Sequence, residues 1–133
     1  MRCDACGDEA MVAFDVPDEL REFAPEEADV AAICPICLSV RAVDDGADAA
    51  AASAASVHDA FPADPDAAAG VALLLGLLES LVLNKPEIQS LVDRLEDGGT
   101  DVFLVLDRLS SDPDVDAAVD LERRRPQLQQ LIE

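Results

Sequence analysis

Cys34-Pro35-Ile36-Cys37 reads together with Cys3-Asp4-Ala5-Cys6-Gly7, and these two stretches hold all four cysteines of the chain, with 27 residues between the pairs. Two residues between cysteines let one tight turn aim both sulfurs at a single point, and Gly7 supplies the permissive backbone such turns often use. Two such turns face to face offer four thiolates to one tetrahedral Zn²⁺, the closed coordination of a structural site. The spacing predicts a four-cysteine zinc ribbon holding one Zn²⁺ per chain through Cys3, Cys6, Cys34 and Cys37. A dithiol redox centre and an iron–sulfur site are the competing readings. A redox dithiol is better suited to one Cys-x-x-Cys beside a βαβ pattern, whereas the two pairs here flank strand patterns.

Outward from the knuckles, Ala10–Val16 alternates with Val12, Phe14 and Val16 on one face, as a half-buried strand does. Pro17 opens a short helical turn in which Leu20 and Phe23 share a side, and Pro25 stops it. Ala28–Ile33 reads as a second strand running into the second knuckle, and residues 38–43 as a third, with Leu38, Val40 and Ala42 on one side. Some 45 residues with so few large apolar groups do not hold a fold unaided. A structural zinc contributes about 10–16 kcal/mol in comparable modules.

The second half has helical period. Asp64-Pro65 starts a helix expected over Asp66–Leu83, apolar around most of its circumference, which implies burial in a bundle or an interface. Asn84 and Pro86 separate it from a helix whose single face is Ile88, Leu91, Val92 and Leu95, closed by Gly98-Gly99. Thr100-Asp101 starts a third helix with Val102, Phe103, Val105, Leu106 and Leu109 inward. Asp112-Pro113 is expected to start a fourth, which Pro126 breaks or kinks. The fold class is therefore α+β, with a ribbon at 1–45, an Ala-rich linker at 46–63 and an all-α helical bundle at 64–133. Val57 and Phe61 have the spacing to pin the linker's end to the helices. His58, the only histidine, reads as a linker residue, since four cysteines already fill the metal site and no nucleophile accompanies it.

Acidic residues outnumber basic ones 29 to 9, for a net charge of −20, and Lys85 is the only lysine. The charge is spread along the chain, which suits a salt-saturated cytoplasm: in molar salt the Debye length falls to about 3 Å and self-repulsion is screened. No cleavable leader precedes Cys3, and the longest apolar run is short of the ~20 residues that span a bilayer. A reducing, cytoplasmic location fits zinc-bound thiolates. Arg123-Arg124-Arg125 reads as a complement to a helix C-terminus and to nearby acids.

Phosphate-binding glycine loops are absent, and Ser110-Ser111-Asp112 reads as a helix end with a cap. The chain is therefore read as non-enzymatic, with no small-molecule substrate. The opening Met1–Gly7, the Cys34-Pro35-x-Cys37 knuckle and the Leu-rich run Val71–Leu83 resemble a family of small uncharacterised proteins of halophilic archaea, with an N-terminal zinc ribbon and a helical remainder. That resemblance implies a fold and a habitat and supplies no activity. The chain departs from the commoner Cys-Pro-x-Cys-Gly form, because Leu38 follows Cys37.

Two functions follow. The first is a protein–protein interaction or adaptor module that docks a partner or itself. The small strip Ala68, Ala72 and Gly76, with Leu73 and Leu77 beside it, would be the contact surface. Complete enclosure of the strip by the other helices is the alternative. The second function is a nucleic-acid-associated factor of transcription or translation. Against it, the ribbon has Arg2, Arg21 and Arg41 facing twelve acids, and phosphate contacts need clustered cations.

Overall fold

The computed structural model describes residues 11–43, 54–117 and 120–132. Strands β1 (Val12–Asp15), β2 (Val30–Ile33) and β3 (Val40–Ala42) form one antiparallel sheet in the order β1-β2-β3. Val12 stands opposite Ile33, and Ile33 opposite Val40, so the strand ends meet at the Cys34 side. The strands are shorter than the alternation implied. Single hydrogen bonds extend them, from Val16 N–H to Asp29 O (2.8 Å) and from Val43 N–H to Val30 O (3.0 Å).

Between β1 and β2 the chain makes a 3-10 helix, Asp18–Phe23, followed by a shorter one, Pro25–Glu27. Leu20 and Phe23 are buried together, as a repeat of three residues per turn requires. Of the Ala-rich segment, residues 47–53 lie outside the described residues. Ala54–Ser56 forms a 3-10 turn, and Ala54, Val57, Ala60 and Phe61 are buried in the main core.

Among the described residues four α-helices follow: α1 (Pro65–Leu77), α2 (Lys85–Asp97), α3 (Val102–Ser111) and α4 (Leu121–Ile132). Their ends have identifiable causes. Asp64 accepts a hydrogen bond from Ala67 N–H at 3.1 Å, and Asp101 one from Leu104 N–H at 3.0 Å; both are N-caps. Past α2, Gly99 has φ +93°, Thr100 N–H reaches Leu95 O at 2.9 Å and Gly99 N–H reaches Glu96 O at 3.0 Å. This is the paired closure that a left-handed glycine permits.

The expected helix Asp66–Leu83 ends six residues early. Asn84 Nδ2 donates to Leu77 O at 3.1 Å, and the chain tightens into a 3-10 turn at Leu78–Ser80. Val82 and Leu83, expected within that apolar helix, are 74% and 81% exposed. The expected helix start at Asp112-Pro113 is also corrected. Asp112 instead closes α3, residues 113–117 are non-helical, and Ala118 and Val119 lie outside the described residues. Asp120 caps α4 by accepting from Arg123 N–H at 3.1 Å. Pro126 sits inside α4 without ending it. The carbonyl left without its amide belongs to Glu122, which like Pro126 is on the exposed side, where water can satisfy it.

One apolar cluster runs from Phe14 in β1 through Leu73, Leu74 and Leu78 to Leu109 and Leu128. The boundaries drawn at 45 and 64 do not interrupt it. Helix α1 lies between the sheet unit and α2, which accounts for its apolar circumference. A Cβ on Gly76 would lie 3.0 Å from Val40 Cβ, so the glycine lets α1 come close to β3. Ala72 and Leu73, expected on a contact surface, are core residues, as is Ala68. At Gly76 the small strip is covered from within the chain by Val40 of β3, whereas its enclosure was expected from the other helices.

Candidate metal centre

Strand alternation places Cys34. Along β2, Ala31 and Ile33 enter the main core, while Ala32 and then Cys34 belong to a second, smaller cluster with Met11 and Cys37. Successive side chains of a strand point to opposite faces, so Cys34, with Cys37 in the same cluster, sits on the sheet face turned away from α1. Ile36 and Val43 pack against this cluster.

The turn itself is a closed reversal. Leu38 N–H donates to Cys34 O at 2.9 Å, and Cys34 N–H donates to Ser39 O at 3.0 Å. Both bonds require the chain to swing back immediately after Cys37, and Leu38 does so at φ +61°. That left-handed conformation costs a non-glycine residue roughly 1–2 kcal/mol. Here the swing carries the Leu38 side chain into the main core, where it is 4% exposed. Leu38 thus keeps the backbone a glycine would give, and burial offsets the strain. Leu38 lies before β3, not in it, yet it enters the same core that Val40 packs against, the side the alternation gave both residues.

Cys34 and Cys37 are both buried. Cys37 Sγ lies 3.3 Å from Ser39 Oγ, so a Cys37 thiolate would accept a hydrogen bond from that hydroxyl. Cys3 and Cys6 lie outside the described residues. Met11 packs in the cysteine cluster and Val12 pairs beside Cys34, so the chain enters the sheet at the knuckle. Soft sulfur donors are a ligand type that suits Zn²⁺, and among the described residues Cys34 and Cys37 are not joined by a third His, Cys, Asp or Glu.

The helical half grips this turn from outside. Asp116 N–H, between α3 and α4, donates to Ile36 O at 2.7 Å. A few residues earlier, Asp112 Oδ1 accepts from Asp114 N–H at 2.8 Å, and Asp112 Oδ2 lies 2.6 Å from His58 Nε2. His58 Nδ1 accepts from Ala60 N–H at 2.8 Å. With Nδ1 occupied as an acceptor, the ring proton lies on Nε2 and is donated to the carboxylate. The Asp114 amide, and after it the His58 ring, hold the Asp112 carboxyl below the usual carboxylate range. His58, read from the sequence as a linker residue, ties the linker to the end of α3. The Asp112-Pro113 pair signals a local Asx turn, but a partner 54 residues away has no sequence signature.

The basic run lies in the first half of α4, so a helix C-terminus does not explain it. Arg125 pairs with Asp107 at 2.6 Å and lies 5.2 Å over the Phe103 ring, while Arg124 donates to Gln127 at 2.8 Å. Near the sheet, Arg21 bridges Asp18 and Asp29. Of the expected contact residues, Gly76 and Leu77 are half-buried. With Phe23 and Val40 they line an open cavity of about 360 Å³, edged by Glu22, Glu79 and Glu87. Partial burial pushes the Glu79 carboxyl up. Among the described residues, no helix is long and apolar enough to cross a membrane.

A family model described as a family of unknown function (DUF6276) matches residues 2–132. No curated protein and no solved structure matches the chain.

Proposed function

Because the chain belongs to the DUF6276 family, whose function is unknown, we propose a role argued from the site itself: a non-enzymatic, zinc-binding interaction module. Cys3, Cys6, Cys34 and Cys37 would hold one structural Zn²⁺. The observation that supports this most is the Cys34–Ser39 reversal, in which a leucine accepts a left-handed backbone to keep two buried cysteines on one turn. The metal would supply cross-linking of the small sheet, and with it a firm seat for α1. The cation-poor sheet unit, with Arg21 engaged by two carboxylates, favours a protein partner over nucleic acid. The −20 charge suits a cytoplasm of high salt.

Elemental analysis of the purified chain tests the metal, with one zinc per chain expected. Cys34→Ser should lose the zinc and the order of the sheet while keeping much of the helical circular dichroism. A metal-free native protein with linked Cys3 and Cys6 would overturn the reading. So would salt-sensitive DNA or RNA binding that is lost on changing Arg123, Arg124 and Arg125 to Ala.

A further inference from the structure

The early end of α1 leaves Val82 and Leu83 exposed in the turn before α2. Beside them runs an open groove of about 400 Å³ lined by Leu81, Val82, Lys85, Gln127, Gln130 and Leu131. Among the described residues no carboxylate lines it, although the chain carries 29 acidic residues. Lys85, the only lysine, makes no ion pair among the described residues. It is the first residue of α2, where the aligned peptide dipoles already place partial positive charge. Asn84 adds no compensating cap, since its side chain is engaged with Leu77 O.

From this juxtaposition we infer that the α1–α2 turn and the adjoining end of α4 dock an acidic amphipathic helix of a partner protein. Two of its apolar side chains would cover Val82 and Leu83, and a flanking carboxylate would meet Lys85. Exposed aliphatics bordered by a cation are complementary to apolar residues bordered by an anion. A second copy fits less well. The amphipathic helix α2 of this chain already buries its apolar face of Ile88, Leu91, Val92 and Leu95 in its own core. One lysine is not a polybasic anchor for an anionic lipid surface.

This inference rests on the interaction-module reading, and its test is separate from the zinc measurement. The probe is a labelled Ala-based helical peptide with Leu at i, i+3, i+4 and i+7 and Glu at its flanks, titrated with the full zinc-loaded chain. In 1 M KCl, where the Debye length is about 3 Å, long-range repulsion is screened and contact pairing persists. Saturable anisotropy change is expected. Leu83→Ser or Val82→Ser should weaken it about tenfold, the size of effect expected of a contact hot spot. Both positions are exposed, so circular dichroism should be unchanged. Lys85→Glu should weaken the Glu-flanked peptide and favour a Lys-flanked one. Absence of saturation, equal binding of a peptide with scrambled Leu positions, or indifference to Leu83→Ser would overturn the inference. Sedimentation showing a dimer that Leu83→Ser dissociates would overturn it in favour of a second copy. Loss of peptide binding with one zinc retained would leave the metal reading standing. Peptide binding by a zinc-free native chain would leave this surface standing without the metal.

Discussion

The backbone N–H of Asp116 donates to the carbonyl of Ile36 at 2.7 Å, tying the segment between α3 and α4 to the middle of the Cys34–Cys37 turn. Opening the turn therefore withdraws the acceptor from a segment far downstream in the chain. The Asp116 amide should exchange as slowly as the sheet amides in the zinc-loaded protein. It should exchange faster after chelation, while the α2 amides stay protected. Asp116→Pro, which removes the donor, should destabilise by about 1 kcal/mol, the usual net worth of one hydrogen bond. Asp116→Ala, which keeps the N–H, should be nearly neutral. Hydrogen exchange read by mass spectrometry and denaturant melts of the two variants check this.

At Leu38 the usual order of small substitutions should invert. Leu38→Ala keeps a Cβ at φ +61° and loses the buried side chain. Leu38→Gly loses the same burial but releases the strain. Glycine should therefore be the milder change by about 1 kcal/mol, with both variants less stable than the parent. Chemical denaturation in saturating zinc measures the difference, and Ala outperforming Gly would contradict the strained turn.

Gly76 meets Val40, whose β-branched side chain has little freedom to yield. Gly76→Leu should destabilise by about 1–3 kcal/mol. Adding Val40→Ala should recover part of that loss, because the two sites touch and are not additive. On an open helix surface the same change would be neutral or helpful, since glycine is the poorer helix former by about 1 kcal/mol. Thermal melts of the single and double variants distinguish the two cases.

Asp112 should contribute to acid sensitivity. Its folded carboxyl titrates below the ordinary value of 3.8, so the contribution is fully present above that value and is lost as pH falls through the lower, folded one. Asp112→Asn should be less stable than the parent at neutral pH, and the gap should narrow below about pH 4. Parallel urea melts at neutral and acid pH check the convergence. A constant gap would mean that the carboxylate charge is irrelevant and only the hydrogen bonds count.

Salt should act on the whole molecule. Raising KCl from about 0.1 M to about 2 M shortens the Debye length from about 10 Å to about 3 Å or less, which relieves repulsion among carboxylates spread along the chain. The melting temperature should rise over that range. A flat profile would show that the −20 charge does not limit folding.

Local chemistry made much of the fold legible in advance. The single face Ile88, Leu91, Val92 and Leu95, the Asp64 and Asp101 caps and the Gly98-Gly99 stop are all properties of a few adjacent residues, and all stand in the structure. The same holds for the three short strands and their antiparallel unit, and for the pairing of Cys34 with Cys37 on one turn. These features depend on backbone period, turn stereochemistry and capping groups, each of which acts within a few residues.

Tertiary structure decided what covers what. An apolar period states that a helix is buried and is silent about its cover, so a strip of Ala68, Ala72 and Gly76 served equally for an outside partner or an inside one. At its Gly76 end the sheet took it, because the glycine lets β3 approach at Val40. Likewise a lone histidine and a capping aspartate 54 residues apart became one bridge, and Asp116 found Ile36. Val82 and Leu83 became surface because an asparagine side chain competed for the Leu77 carbonyl. Each outcome turns on which distant groups arrive within hydrogen-bonding or van der Waals range, and only the folded chain specifies that.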